Sequence, residues 1–398
     1  MAVTRGRQFF QNPGPTNIPE RILRAMDRPV LDFMSDEFRA IAETCTDGLR
    51  RIFKTEHAVL TYAASGHGAW EAALVNVLSP GDRVLALESG YFSAGWGKFC
   101  DALGLTVERI ATDWRRGADA DQVEARLKAD RDHSIKAVLL VHNETSTGIA
   151  NDVPAMRRAL DRADHPALFM VDVISSLASF DFRMDEWRVD VVIAGSQKGL
   201  MLPSGMSYTA ASAKALKAAA QGKMPRAYWD WRPLLTGSRQ SRFHGTAPVH
   251  FFFGLTESIE MLEEEGLDRV FARHHRLAEA TRAAVQAWRR NDGPELFPVD
   301  PSRVSDSVTA VQLPEGHDAE AVRRIALERF NVSLGAGLGP LAGRVFRIGH
   351  MGDLNEPMIL GALAAVEMSL ELAGVPHAKG GVAAAMASLT AAARAAGP

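Results

Sequence analysis

Asp172 and Lys198 could act together in catalysis, because each directly follows an apolar segment of strand length. A lysine just past a buried strand is poorly placed for solvent, and an amine with a depressed pKa favours Schiff-base formation with a carbonyl. A carboxylate in such a place can pair with a pyridinium nitrogen and keep it protonated. Each residue alone also has an ordinary interpretation, since many lysines extend along apolar surface to reach water and many aspartates cap a turn.

Two further segments could bind anions. Ser65-Gly66-His67-Gly68 lies between a predicted strand and a predicted helix. Backbone N–H groups and a small hydroxyl can bind phosphate there, although Ser-Gly in such a turn is commonly only a helix cap. Arg347 lies in a predicted strand near the C-terminus, and its planar guanidinium matches a carboxylate, although most arginines are surface residues. Amine, ring-nitrogen partner, phosphate site and carboxylate site are together the four requirements of pyridoxal phosphate (PLP) chemistry on amino acids.

The pattern of the chain predicts an α/β domain that positions these residues. Strands are predicted at 58–62, 83–88, 106–111, 136–141, 167–171 and 191–194, and helices at 68–78 and 153–163. Near-continuous apolar strands separated by helices are typical of a mostly parallel sheet covered on both faces. Ligands bind such a sheet at the carboxyl ends of its strands, where side chains converge.

After residue 266 the pattern changes to that of a small α+β domain. Helices are predicted at 267–288, 318–330, 356–373 and 380–398, with an edge strand at 308–313 and a further strand at 345–348. Arg347 therefore belongs to a second unit that could close over the site.

The composition is that of an ordinary globular protein. The chain has 398 residues, 46% of them hydrophobic, and a formal net charge of −3 without a basic stripe, so nucleic acid is not an expected partner. No apolar segment approaches the roughly 20 residues of a membrane span, and the N-terminus does not read as a signal peptide. Cys45 and Cys100 are the only cysteines, so a reducing cytoplasm is expected. The histidines form no metal-binding motif, and no metal is expected.

Five motifs occur in a specific order along the chain. They are Pro13-Gly14-Pro15-Thr16-Asn17, Ser65-Gly66-His67-Gly68, His142-Asn143-Glu144-Thr145-Ser146-Thr147-Gly148, Val171-Asp172 and Gly195-Ser196-Gln197-Lys198. With this set the sequence resembles, nearly end to end, the class V, fold-type I aminotransferases, specifically the alanine/serine–glyoxylate group. The resemblance implies a large PLP-binding domain over 21–265 with a mostly parallel seven-stranded sheet between helices. An N-terminal arm over 1–20 would precede it, and a small C-terminal α+β domain over 266–398 would follow.

The resemblance also implies a role for each matching position. Lys198 would bind the cofactor covalently and move the proton at the substrate Cα, and Asp172 would pair with the pyridine nitrogen. The other positions implied to contact the cofactor are Ser65, Gly66, His67, Phe92, Thr145, Ile174, Gln197 and, from the neighbouring subunit, Thr246. Arg347 would bind the substrate carboxylate, and Gly14 and Pro15 would line the same pocket. The contact from a second chain implies a homodimer with shared active sites.

The implied reaction moves an amino group from a small amino acid to glyoxylate or a similar small 2-oxo acid. Serine is the first expected donor, with alanine or aspartate next, and the mechanism would be ping-pong through a pyridoxamine phosphate form. A PLP-dependent lyase or decarboxylase on the same scaffold, or a PLP-binding protein without turnover, is the alternative. Retention of both Lys198 and Arg347 argues against pure binding.

Several positions depart from the family pattern or leave alternatives open. Phe92 stands where some relatives have tryptophan, and Phe243 where many have a phosphate-binding tyrosine. Phe33-Met34 replaces the His-Arg that close serine–glyoxylate relatives tend to have, which affects the donor more than the cofactor. The aromatic segment Tyr228-Trp229-Asp230-Trp231 could belong to a dimer interface or to the wall of the substrate pocket.

Overall fold

A large α/β unit and a smaller α+β unit make up the computed structural model, which describes residues 6–236 and 243–396. In chain order, the elements up to residue 265 are β1 (Phe9–Gln11), α1 (Glu20–Met26), α2 (Asp36–Phe53), β2 (Ala58–Tyr62), α3 (Gly66–Val77), β3 (Arg83–Glu88), α4 (Tyr91–Ala102), β4 (Thr106–Ala111), α5 (Ala120–Ala129), β5 (Ile135–Val141), β6 (Asn143–Glu144), β7 (Ile149–Ala150), α6 (Val153–Arg162), β8 (Leu168–Asp172), β9 (Val191–Gly195), β10 (Ser207–Ala211), α7 (Ala213–Gln221), α8 (Trp231–Thr236) and α9 (Val249–Glu265). The elements that follow are α10 (Leu267–Trp288), β11 (Glu295–Leu296), β12 (Val308–Gln312), α11 (Ala319–Phe330), β13 (Val332–Ala336), β14 (Val345–Gly349), α12 (Glu356–Leu372) and α13 (Gly381–Ala396). Within these described ranges, no helix is both long and apolar enough to cross a membrane.

The large unit is built on a seven-stranded sheet in the order β2-β10-β9-β8-β5-β3-β4. Strand β10 is antiparallel to both of its neighbours, and the other pairs are parallel. Alternate residues of β8 enter two different apolar layers, Phe169 and Val171 on one face and Leu168 and Met170 on the other. The sheet is thus buried on both faces, as its near-continuous apolar strands predict, and the mostly parallel seven-stranded sheet is confirmed.

The carboxyl ends of the strands bring the sequence-predicted residues to one edge of this sheet. Asp172 is the last residue of β8, and Lys198 follows the neighbouring β9 by three residues. Strand β2 runs in the same direction, so Ser65 and the start of α3 lie at that edge too. This is the edge where ligands bind in open α/β sheets.

The small unit contains a five-stranded sheet in the order β1-β13-β14-β12-β11. Strand β1 pairs in parallel with β13, so the N-terminal segment extends this sheet. The prediction that 308–313 forms an edge strand is wrong, because β12 pairs with β14 on one side and with β11 on the other. Strand β11 has only two residues, which is too short to leave a period-two pattern in the sequence.

The hairpin formed by β6 and β7 joins the two units. The Asn143 Nδ2 group donates to Ser307 Oγ at 2.6 Å, and the Ser305 N–H donates to the Gly148 carbonyl at 2.9 Å. These contacts hold β14, and with it Arg347, close to the carboxyl edge of the large sheet.

Candidate active site

A cavity of about 190 Å³ lies at this edge. The sequence-predicted residues that line it are Gly14, Pro15, Gly66, His67, Phe92, Thr145, Asp172, Ile174, Gln197 and Lys198. The N-terminal segment, the start of α3, the start of α4 and the ends of β5, β8 and β9 therefore converge on one space.

Lys198 is buried, with 9% of its surface exposed. Its Nζ donates a hydrogen bond to the Pro13 carbonyl. The pKa of the Lys198 amine is lowered to about 7, mainly by burial and also by the positive charge of Arg347, while Asp172 partly opposes both effects. An amine with this pKa is available in its unprotonated, nucleophilic form near neutral pH.

Gly14 is packed directly against this lysine. A Cβ atom at position 14 would lie 2.2 Å from Lys198 Nζ, and the backbone φ of +113° is one that side-chain-bearing residues rarely adopt. The Thr16 N–H donates to the Gln197 carbonyl at 3.1 Å, so the N-terminal segment is tied to the turn that carries the lysine. Glycine is required here because the backbone lies directly against the Lys198 side chain.

Asp172 is also buried, with 3% of its surface exposed. Its Oδ1 accepts from the Ile174 N–H at 2.7 Å and its Oδ2 accepts from Trp70 Nε1 at 2.6 Å. The pKa of the Asp172 carboxyl is raised to about 7, mainly by burial and also by Glu144, while the two hydrogen bonds and Lys198 oppose the increase. A cation placed in the cavity against Asp172 would favour the ionised carboxylate.

The N-terminus of α3 has the features of a phosphate site. Ser65 is the N-cap residue, yet its side chain makes no capping hydrogen bond, and the first N–H groups of a helix have no intrahelical partner. A Cβ atom on Gly66 would lie 2.3 Å from Ile174 Cδ1, so a larger residue here would displace the end of the Ile174 side chain. Gln197 lines the same cavity, and its Nε2 group is a donor that a phosphate could accept from.

Phe92 is positioned by a buried carboxylate. Glu144 accepts from the Ser93 N–H at 2.9 Å, from the Phe92 N–H at 3.3 Å and from Ser146 Oγ at 2.6 Å. An anion at the N-terminus of a helix is stabilised by the helix dipole, so Glu144 fixes the start of α4. The Phe92 ring thereby lines the cavity from the α4 side.

Arg347 belongs to the small unit and is not itself a lining residue of the cavity, but it contacts the lining residue Thr145. Its Nη1 donates to the Thr145 carbonyl at 3.0 Å and its Nε to the Ala336 carbonyl at 2.7 Å, while Nη2 makes no hydrogen bond to the described residues. Burial lowers the pKa of the Arg347 guanidinium to about 10, and the charge of Glu144 opposes this effect. The guanidinium stays cationic at neutral pH and has donor capacity left for an anion.

A family model described as class-V aminotransferase matches residues 8–341. The chain belongs to the class-V aminotransferases. These enzymes depend on PLP. The arrangement fits that cofactor, because a buried amine, a buried carboxylate and the first residues of α3 line one cavity, and Ser65 just before them makes no capping hydrogen bond.

Named relatives and a solved structure agree with this membership. The chain is 46% identical over 375 residues to the L-aspartate–glyoxylate aminotransferase of Paracoccus denitrificans, with 94% of each chain covered. It is 46% identical over 398 residues to the serine–glyoxylate aminotransferase of Methylorubrum extorquens, with 98% of each chain covered. The ureidoglycine–glyoxylate aminotransferase of Bacillus subtilis superposes with a TM-score of 0.89 at 28% identity, covering 98% of this chain and 100% of that one.

Not every sequence-predicted position of this class-V chain lies in the cavity. Thr246 is exposed in the segment before α9 and does not line it. Phe33, Met34 and Phe243 line a separate cavity of about 200 Å³ beside α2 and β2. None of these four residues lines the cavity that contains Lys198.

The aromatic segment after α7 packs against the large unit. Trp229 contacts Tyr62 edge-on at 5.7 Å between ring centroids, and Trp231 is fully buried. Only Tyr228 is substantially exposed. None of the three lines the cavity around Lys198.

Four residues that sequence reasoning did not place in the site line the cavity: Trp70, Val141, Asn143 and Ser175. Asn143 lies within the motif 142–148 and Val141 directly precedes it, so their position at the end of β5 was a usable signal. Trp70 lies one turn into α3 and reads from sequence as a core aromatic residue. Nothing in its spacing predicts that its indole faces Asp172.

Proposed function

We propose that this PLP-dependent aminotransferase transfers the amino group of a small amino acid to glyoxylate or a similar small 2-oxo acid. Serine is the first proposed donor, with alanine or aspartate next. The observation that carries the proposal is the placement of the buried Lys198 amine and the buried Asp172 carboxylate on one cavity that Arg347 approaches from the small unit.

Separate groups of residues would bind the phosphate, the ring nitrogen and the ring faces of the cofactor. Bound PLP supplies an aldehyde that takes up the amino group and a ring that accepts electrons from the substrate Cα. Ser65, the N-terminus of α3 and Gln197 would bind its phosphate, and Asp172 would hold the ring nitrogen in its protonated form. Phe92 would cover one face of the ring, with Ile174 lining the pocket beside Gly66.

Lys198 would move the proton at the substrate Cα. A general base works best when its pKa lies near the working pH, because both protonation states are then populated. Burial together with the Arg347 charge lowers the pKa of Lys198 to about 7, which meets that condition. Arg347 would bind the substrate carboxylate through the donor capacity left free by its contacts with Thr145 and Ala336.

The charge of the cavity supports the proposed order of donors. His67 and Lys198 are the only basic residues among the described residues that line it. A small donor with an uncharged side chain needs no second cation, which favours serine or alanine. Relatives at the same identity act on serine or on aspartate, so aspartate is kept as a candidate.

We further propose a cytoplasmic homodimer with two shared sites. Thr246 is exposed in its own chain and has no role in the cavity there, which supports its use at the partner's site. The proposed division into an arm over 1–20, a large domain over 21–265 and a small domain over 266–398 agrees with the two sheets, although β1 pairs with the small one.

A donor screen with glyoxylate as acceptor tests the proposal. Purified protein reconstituted with PLP is mixed with serine, alanine or aspartate, while glycine formation and near-ultraviolet absorbance are recorded. Glycine should form with one preferred donor, and the PLP absorbance should change with that donor alone. Lys198→Ala should abolish both signals, and Lys217→Ala, an exposed lysine on α7, should leave both unchanged. Loss of carbon dioxide or cleavage of the donor without glycine formation would favour a decarboxylase or lyase instead.

A further inference from the structure

Trp70 donates the only side-chain hydrogen bond that Asp172 receives from the described residues. Its Nε1 lies 2.6 Å from Asp172 Oδ2, although the two residues are 102 positions apart in the sequence. The other donor is the backbone N–H of Ile174, which contacts Oδ1 at 2.7 Å. The carboxylate is therefore bound at both oxygens on the protein side.

The indole of Trp70 is held in place by packing on several sides. Trp70 is 1% exposed and stacks on Trp96, with 5.8 Å between ring centroids and 14° between planes. The centroid of the His67 ring lies 4.5 Å from that of the indole, and the Phe99 ring packs edge-on with 5.7 Å between centroids. Because the ring cannot rotate freely in this cluster, its N–H keeps pointing at Asp172 and fixes the orientation of the carboxylate.

Several charged or titratable groups face Asp172. Glu144 of the β6–β7 hairpin raises the pKa of the carboxyl and Lys198 lowers it. His67 lines the same cavity, and Arg347 lies beside it, where it donates to the carbonyl of the lining residue Thr145. Burial has the largest effect on the pKa of Asp172 and opposes its ionisation. Hydrogen-bond donors that bind the carboxylate therefore decide what fraction of Asp172 is ionised.

We propose that Trp70 is a positioning residue of the reaction, which keeps the Asp172 carboxylate ionised and aimed at the cavity where the cofactor ring nitrogen would bind. The cofactor part of this inference rests on the proposed function. The hydrogen bond itself does not, because it exists in the protein chain alone. The two parts can therefore be tested separately.

The first experiment uses wild-type protein without cofactor. Labelling of the tryptophan indoles with ¹⁵N gives one N–H signal for each of the seven tryptophans, and proximity to the His67 ring identifies Trp70. The Trp70 signal should move with pH at the same midpoint as the ¹³C signal of the Asp172 carboxyl. His67 is resolved from it, because burial lowers the pKa of His67 whereas that of Asp172 is raised to about 7. A Trp70 indole signal that does not change as Asp172 ionises would overturn the proposal.

The second experiment compares Trp70→Phe with Trp96→Phe. Trp96 is an unusually close control, since it is also 1% exposed, stacks on Trp70 and has an Nε1 without a partner among the described residues. Both variants remove the same indole volume, but only Trp70→Phe removes a hydrogen bond to a charged group. Such a bond changes an equilibrium constant by about 10- to 100-fold.

Trp70→Phe should therefore raise the titration midpoint of the Asp172 carboxyl by about one pH unit or more and weaken PLP affinity by about 10- to 100-fold. Trp96→Phe should remain close to wild type in both measurements. Equal effects in both variants would mean that Trp70 acts only through packing, which contradicts the proposal. If the wild-type protein binds no PLP at all, the proposed function fails. The titration of the Trp70 indole with Asp172 would in that case still decide whether the positioning contact is real.

Discussion

Replacement of Gly14 by alanine should impair catalysis far more than it impairs folding. The added Cβ would lie 2.2, 2.3 and 2.4 Å from Nζ, Cε and Cδ of Lys198, whereas ordinary contact begins at 3.4 Å. These three atoms form the flexible end of the lysine, so the clash is relieved when the amine moves away by about 1 Å. A displacement of that size in a reacting group can lower the rate by about 100-fold.

The stability cost should be modest and can be measured separately. Alanine at a φ of +113° carries backbone strain of about 1–3 kcal/mol. Gly104→Ala is a matched control, because Gly104 has a φ of +74° with no atom within 4 Å of the added Cβ. Denaturant unfolding should therefore show a similar loss in both variants.

Steady-state kinetics and PLP absorbance would decide the question. Gly14→Ala should lose about 100-fold in kcat and change the absorbance of bound PLP, and Gly104→Ala should do neither. Wild-type kcat in Gly14→Ala, or the same loss of kcat in both variants, would refute the idea that Gly14 sets the position of the Lys198 amine.

Three further predictions concern the charges of the site and the second subunit. Covalent uptake of PLP by the cofactor-free protein should become faster as pH rises through about 7, since the unprotonated amine reacts and burial lowers the pKa of Lys198 to that value; a rate independent of pH would contradict this. Arg347→Met should move the midpoint of this pH dependence to higher pH, because the guanidinium charge lowers the pKa of Lys198. The same variant should raise the KM for the amino acid by about 100-fold without weakening PLP binding. Thr246→Ala should speed the loss of PLP on dialysis while the dimer stays intact by sedimentation, with Thr390→Ala, an exposed helical threonine, as the control. Unchanged retention of PLP in Thr246→Ala would count against a shared site.

Local patterns of apolar residues in the sequence predicted much of the fold. The apolar segments that became β5, β8 and β9 are buried on both faces, and a segment of this kind leaves the same signal whatever its neighbours are. The helix predicted at 267–288 is α10 with the same bounds. The misassigned edge strand at 308–313 has a different cause, because its second partner is a two-residue strand without a pattern of its own.

The sequence by itself determined which residues bear the chemistry. Lys198 and Asp172 end adjacent parallel strands, and the geometry of such a sheet brings strand ends together without any further information. Serine and glycine at the start of α3 likewise follow from the rules of helix termini.

The tertiary structure alone decided how those residues are tuned. The contact of Trp70 with Asp172 spans 102 positions and that of the Lys198 amine with Pro13 spans 185, and neither leaves a periodic signal in the chain. The shifted pKa values of Lys198 and Asp172 arise mainly from burial, and burial is a property of the packed protein as a whole. The sequence therefore specifies the reactive groups, and their reactivity appears only when distant segments enclose them.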